Sequence, residues 1–137
     1  MNARDIALVR ESHAWVAPVA DQAAAQFYDR VFERAPSVAT LFRGDMAQQG
    51  ARLMAMIGAA VGLLDDMDKL NGVLVELGRR HVGYGVQPGH YEVVGGALLD
   101  TLAAALGPAF TADHRLAWAA LYGHVSRTMQ APSTVAA

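Results

Sequence analysis

The stretch LVELGRRHVGYGVQPGHYEVV, residues 74–94, decides the fold, because one helical face in it carries a histidine among apolar residues. The residues that share this face recur at helical spacing: Leu74, Leu77, Gly78 and His81. Gly78 removes a side chain one turn before His81, which predicts room for something flat and bulky. An imidazole in that setting is a candidate metal ligand.

The motif alone leaves another interpretation open, since a lone histidine on an apolar face is more often a core or half-buried residue. Gly83 and Gly85 predict the end of this helix, and Pro88 predicts the start of the next. The choice between a ligand and a core residue therefore depends on what the rest of the chain offers as a partner.

Length and composition predict a single domain with a sizeable core. The chain has 137 residues, of which 53% are hydrophobic and 18% charged, which is more apolar than usual for a soluble chain of this size. Such a surplus suits a protein that encloses an apolar ligand. The formal net charge of −2, with no basic run, argues against nucleic acid and anionic membranes as partners.

Cysteine is absent, which excludes disulfides, thiolate metal sites and cofactors attached through a thioether. No apolar run reaches the roughly 18 residues of a membrane span. The first residues, MNARDIALVRES, carry charges where a secretion signal would be apolar. We therefore expect a cytoplasmic protein.

Apolar residues recur with a helical period along almost the whole chain, without repeats and without convincing strand alternation. Proline, glycine and aspartate mark the ends of the predicted helices. The predicted elements span residues 3–17, 19–34, a turn at 36–42, 45–64, the His81 helix, 88–106 and 111–130, followed by a flexible tail at 131–137. Such lengths and short loops predict an all-α domain, 1–137, packed helix on helix.

Three polar residues interrupt the apolar pattern and are candidate functional residues. Gln49 shares a helical face with Leu53, and Tyr28 lies among apolar residues of the second helix. Tyr91 begins the long helix after His81. Each has an ordinary alternative, such as a core tyrosine bonded to a carbonyl or a surface glutamine in a first turn. Together they would supply a nitrogen ligand, two neutral hydrogen-bond donors and an apolar wall.

These residues and the motifs around them resemble bacterial single-domain globins and, from the middle of the chain onward, neuroglobin. The resemblance covers nearly the full length and rests on the segments FYDRVFERAPSVATLF, ARLMAMIGAAV, LGRRHVGYGV, HYEVVGGALLDTLAAALGPAFT and AWAALYG. It implies the globin fold, a three-on-three helical sandwich around haem.

The resemblance implies b-type haem held by burial and by one axial bond from His81 to the iron. It implies that Phe42, the phenylalanine that nearly defines the family, stacks on the macrocycle. Tyr28 and Gln49 would be distal hydrogen-bond donors, and Arg52 would either pair with a haem propionate or be solvated. Further haem contacts are implied for Leu53, Val86, Tyr91 and Val94.

The implied function is reversible binding of dioxygen with high affinity on five-coordinate ferrous haem, for carriage, storage or sensing. Carbon monoxide and nitric oxide are expected ligands of the same site. One alternative is nitric oxide dioxygenation or peroxidase-like turnover with a separate reductase, because the flavin and nicotinamide domains of flavohaemoglobins are not in this sequence. Another is a non-haem helical interaction module in which His81 is simply packed.

Overall fold

The computed structural model describes residues 1–135 and contains six α-helices in that part of the chain. Their bounds are α1 Ala3–Val16, α2 Ala20–Arg34, α3 Met46–Gly62, α4 Met67–Gly83, α5 Pro88–Leu106 and α6 Ala112–Val135. Three 3-10 helices lie between them at Ala17–Val19, Pro36–Leu41 and Gly107–Ala109. No β-strand occurs within the described range, and the predicted all-α fold is confirmed.

The helix boundaries follow local sequence signals. Asn2, Asp45 and Asp66 cap α1, α3 and α4, because each side chain accepts a hydrogen bond from a backbone N–H of the first turn. After α4 the chain turns at Gly85, whose φ of 90° favours glycine, and Pro88 begins α5. The predicted end of the His81 helix and the predicted start of the next are therefore confirmed.

The helices pack around an apolar core in which α6 lies against α1, α4 and α5, while α2 lies against α3 and α5. Trp118 of α6 is buried at the centre, and its Nε1 donates to Ser12 Oγ at 2.8 Å. The Ser12 hydroxyl donates in turn to the Leu8 carbonyl at 2.7 Å, so these buried polar groups are satisfied. The helices α3 and α4 follow one another in sequence but make no extensive contact with each other.

The space predicted beside Gly78 is not there, so that prediction was wrong. Gly78 is buried against α6, where a Cβ would collide with the backbone carbonyl of Met129. The glycine therefore lets two helix backbones approach closely and leaves no room for a ligand. In a sequence, a missing side chain looks the same whether a ligand or a neighbouring backbone fills its place.

The last helix is longer than predicted. It was predicted to end at residue 130, but it continues through Pro132 to Val135. The flexible tail predicted for 131–137 stays a prediction, and residues 136–137 lie outside the described part. Proline lacks an N–H and thereby removes one helical hydrogen bond, to the carbonyl four residues earlier. A helix already formed on the N-terminal side of Pro132 can tolerate that loss for one further turn.

The segment Pro88–Ala109 is long and apolar enough to span a membrane by length and composition, with a mean hydropathy of 1.2 in its most apolar window. The core helix of a soluble protein passes the same test, and α5 packs against both α2 and α6. This segment is therefore weak evidence for a membrane span.

Candidate functional site

An open cleft separates α3 from α4. It has a volume of about 560 Å³ and is lined by Met56 of α3 and by one face of α4. Met56 lies one turn beyond Leu53, and Leu77, which also lines the cleft, lies one turn before His81. The cleft therefore runs beside the two helix faces on which the sequence analysis placed Gln49, Leu53 and His81.

His81 is half-buried on α4, and the helix that carries it fixes its orientation. Its Nδ1 lies 2.8 Å from the carbonyl oxygen of Leu77, one turn earlier. Because a carbonyl only accepts, Nδ1 carries the proton and donates, and Nε2 of the neutral ring keeps its lone pair. Among the described residues no side chain or backbone group bonds to Nε2. A histidine that ligates a metal has this arrangement, in which the second nitrogen donates to a carbonyl.

The backbone after His81 turns back over the end of α4. The N–H of Val86 donates to the His81 carbonyl at 3.1 Å, and the Tyr84 ring centroid lies 5.8 Å from the imidazole centroid. A Cβ at Gly85 would lie 3.5 Å from Leu41, so this loop also touches the end of the second 3-10 helix. Val86 was among the residues selected from the sequence and Tyr84 was not, although an aromatic residue three positions after His81 was an available signal.

Tyr28 of α2 lies in a cluster of aromatic rings. Its centroid is 5.0 Å from that of Phe27, 5.8 Å from Phe32 and 5.2 Å from Phe42. Burial raises the pKa of the Tyr28 phenol, and interaction with the Gln49 side chain partly offsets the increase. The phenol therefore stays neutral and keeps its proton at physiological pH. The structure brings Tyr28 and Gln49 together from two helices.

Three more of the predicted residues border these rings. Phe42, Leu53 and Val94 are half-buried and pack against the apolar cluster that contains Tyr28. They come from three different elements, namely the connection before α3, α3 itself and α5. Met46, the first residue of α3, belongs to the same group and was not selected from the sequence. A half-buried apolar wall assembled from several elements fits a flat apolar ligand lying on it.

Tyr91 lies in the first turn of α5 and packs against the main core. Its backbone carbonyl accepts a hydrogen bond of 2.5 Å from the Tyr122 hydroxyl of α6, whose ring lies over Gly95. Burial raises the pKa of Tyr91 and, to a greater extent, the pKa of Tyr122. Tyr122, which was not selected from the sequence, thus fixes the start of α5 beside the site.

Arg52 on α3 is exposed and has no ion-pair partner among the described residues. This position fits both of its predicted roles, a propionate partner or a solvated side chain.

Three of the other histidines are held by hydrogen bonds within the protein: His90 to the Gln87 N–H, His114 to Thr111 and Glu11, and His124 to Asn71. These bonds indicate structural roles for the three imidazoles.

Residues 25–129 match the model of the globin family. The chain therefore belongs to the globin family, as its resemblance implied.

Several characterised globins are similar to the chain. The neuroglobin of Danio rerio is 35% identical over 116 residues, which covers 74% of this chain and 73% of that protein. The neuroglobin of Tetraodon nigroviridis is 34% identical with the same coverage. The flavohemoprotein of Bacillus subtilis (strain 168) is 29% identical over 104 residues, which covers 74% of this chain but 26% of that longer protein.

The residues of the site fit the cofactor of this family, haem b. His81 offers a free Nε2, and the half-buried wall of Phe42, Leu53 and Val94 offers apolar contact. The predictions of a globin, of the all-α globin fold and of haem b are thus confirmed, and the chain is a haem-based globin that binds diatomic gases. A non-haem helical module is excluded as the general function.

Proposed function

We propose that His81 holds the haem through Nε2 and that the protein binds dioxygen reversibly, with high affinity. The observation that carries this proposal is the 2.8 Å bond from His81 Nδ1 to the Leu77 carbonyl. That bond sets the tautomer, restrains the ring and leaves the donor nitrogen free. The haem supplies an iron on which a diatomic gas binds, and the side chains around it determine how strongly the gas is held.

The apolar residues of the site hold the macrocycle by burial. Phe42, Leu53, Val86 and Val94 would cover its faces and exclude water, since each is only half-buried in the protein itself. Tyr91 would add contact from the start of α5. Arg52, exposed on α3 without an ion-pair partner in the described chain, would pair with a propionate.

Tyr28 and Gln49 would donate hydrogen bonds to dioxygen held in the distal pocket. The raised pKa of Tyr28 keeps its proton in place, and Gln49 lies close enough to interact with the same hydroxyl. Two bonds of about 1 to 2 kcal/mol each would slow the release of dioxygen by roughly 30- to 1000-fold. Carbon monoxide carries less charge when bound and would gain less from these donors.

The same two residues support a five-coordinate ferrous state. A glutamine amide is a poor iron ligand, and a neutral phenol does not compete with a gas for the metal. Absorption and resonance Raman spectra of the ferrous, gas-free protein test this proposal. We expect a Soret band and a mainly five-coordinate, high-spin species. A dominant six-coordinate, low-spin species would refute it, and the lack of a Soret band would remove the haem assignment altogether.

Nitric oxide dioxygenation is the second candidate function, and the similarity to a flavohemoprotein favours it. The haem would supply the redox chemistry of this reaction, and sustained turnover would need an electron supply, here a separate reductase. Carriage, storage or sensing needs no such continuous supply. Rapid multiple turnover of nitric oxide by the purified chain with NADH alone would contradict a separate reductase and would favour the enzyme. The cytoplasmic location stays a prediction.

A further inference from the structure

The surface at the C-terminal end of α4 is exposed and apolar at its centre. Val82 is 54% exposed and Tyr84 is 61% exposed. No carboxylate occurs in residues 77–91, nor in residues 35–44, which approach them where Gly85 meets Leu41. Exposed apolar side chains without a neighbouring carboxylate can supply the centre of a contact with a partner.

Three arginines lie near this patch. Arg79 and Arg80 are exposed, and both lie near the same carboxylate, Glu76, at 3.4 Å and 3.7 Å. Arg43 follows the Leu41 turn and is also exposed. Arg79 and Arg80 therefore share one carboxylate, although the whole chain has a net charge of −2. We name Arg43, Arg79, Arg80, Val82 and Tyr84 the arginine–tyrosine surface.

This surface contacts the proposed axial ligand directly. The Tyr84 ring lies 5.8 Å from the His81 ring, and Val82 adjoins His81 in the helix. A protein that covered Tyr84 would therefore lie within a short distance of the imidazole. Basic residues near a helix C-terminus also stabilise the helix dipole, which explains the arginines but not the exposed Val82 and Tyr84.

We propose that the arginine–tyrosine surface docks an electron-transfer protein whose own docking face is acidic. The inference rests on the proposed function, because it assumes haem bound at His81 that must be reduced after oxidation. Opposite charges steer such a partner into contact and accelerate association at low salt. The exposed valine and tyrosine would then supply the apolar centre of the contact.

The test uses the ferric haem-loaded protein and a reduced flavodoxin as an acidic probe. The variant R79E/R80E changes the net charge by four units at the surface. The control R4E/R127E makes the same change in net charge, with Arg4 on α1 and Arg127 on α6. The rate of haem reduction is measured by stopped flow between low and high ionic strength. Binding is measured separately by NMR shifts of the 15N-labelled globin on addition of oxidised flavodoxin.

We expect reduction of the native protein to slow as salt is added, because screening over about 8 to 10 Å removes the attraction. At low salt R79E/R80E should be reduced roughly tenfold or more slowly, and the control only slightly more slowly. R79Q/R80Q introduces no repulsion, so its rate of haem reduction should fall by less. Amide shifts should concentrate in residues 79–86 and around Arg43. Reduction by dithionite should be unaffected in all variants.

Equal rates for R79E/R80E and R4E/R127E would overturn the docking surface, as would NMR shifts that map elsewhere. A salt-independent rate would equally contradict the proposal. Failure of the proposed function itself is recognised separately. In that case the native protein shows no haem absorption spectrum before any flavodoxin is added. Retained haem and gas binding with unchanged docking kinetics would remove only this inference.

Discussion

On α4, the side toward α6 is fully packed, with Leu70, Leu74 and Gly78 buried. The side toward α3 is different, since Leu77 and His81 are only half-buried and the cleft beside them is open. One helix thus has one interface that the protein completes by itself and one that it leaves incomplete. The difference separates the residues that define the fold from those available to a ligand.

The largest expected effect comes from His81→Ala, which acts on the open side alone. The variant should lose haem and, with it, the stabilisation that bound haem provides, about 4 kcal/mol when haem is about 1000-fold above its Kd. Unfolding with and without added haem, together with the Soret absorbance, measures this. His90→Ala is the control and should keep haem. Full haem content and a normal five-coordinate ferrous spectrum in His81→Ala would show that the ligand is another residue.

Gly78→Ala acts on the packed side. The added Cβ would collide with the Met129 backbone. We therefore expect the free energy of unfolding to fall by about 2 to 3 kcal/mol, equally with and without haem. Gly72→Ala is the matched control, because nothing lies within 4 Å of a Cβ there, and it should stabilise α4 by up to about 1 kcal/mol. Urea unfolding compares the two. Similar stabilities would mean that the α4–α6 contact is not close.

Tyr28→Phe tests the proposed distal pocket with a smaller change. The ring and its packing remain, and one donor to dioxygen is lost, so dissociation of dioxygen should accelerate about tenfold, or about 1.4 kcal/mol. Dissociation of carbon monoxide should change less. Tyr84→Phe removes an exposed hydroxyl and should leave both rates unchanged. Equal acceleration of both gases in Tyr28→Phe would indicate a steric role.

The smallest effect concerns Asp100, which joins α2 to α6 away from the cleft. Its carboxylate lies 2.8 Å from Arg115 and 2.6 Å from Arg34, and these bonds hold its pKa below the usual value of 3.8. The pKa is lower in the folded state, so this stabilisation is present above about pH 4 and is lost as pH falls through the lowered value. Because both ion pairs are partly exposed to solvent, we expect them to contribute less than about 1 kcal/mol to the free energy of unfolding.

Thermal unfolding between about pH 6 and pH 2.5 measures the Asp100 contribution. Asp100→Asn should flatten the acid limb of the curve slightly and identically with or without haem. An effect that depended on haem would place Asp100 in communication with the cleft.

The sequence predicted the helices well, because prolines, glycines and capping aspartates mark their ends. The bond from His81 Nδ1 to the Leu77 carbonyl is local as well, because the two residues lie one helical turn apart. The sequence did not predict the role of Gly78, because the glycine's neighbour, Met129, is distant in sequence. The extension of α6 past Pro132 was missed for a related reason. Whether the helix continues depends on how the cost of one lost hydrogen bond compares with the stability of the rest of the helix.

The contact between Tyr28 and Gln49 illustrates the same limit. Each residue was recognisable as a polar interruption of an apolar stripe, and the family resemblance put both on one side of the haem. Only the packing of α2 against α3 sets the interaction that perturbs the pKa of Tyr28. The cleft itself arises where two sequential helices make no extensive contact, and it has no local signature.

The two tryptophans give the protein two optical reporters with separate environments. Trp15 on α1 is 40% exposed, whereas Trp118 is 2% exposed and donates its indole proton to Ser12. In the haem-free protein, iodide will quench the red-shifted emission of Trp15 and leave the blue-shifted emission of Trp118. The fluorescence that iodide does not quench then reports on the contact between α1 and α6. Unfolding of the core can therefore be measured without any contribution from haem.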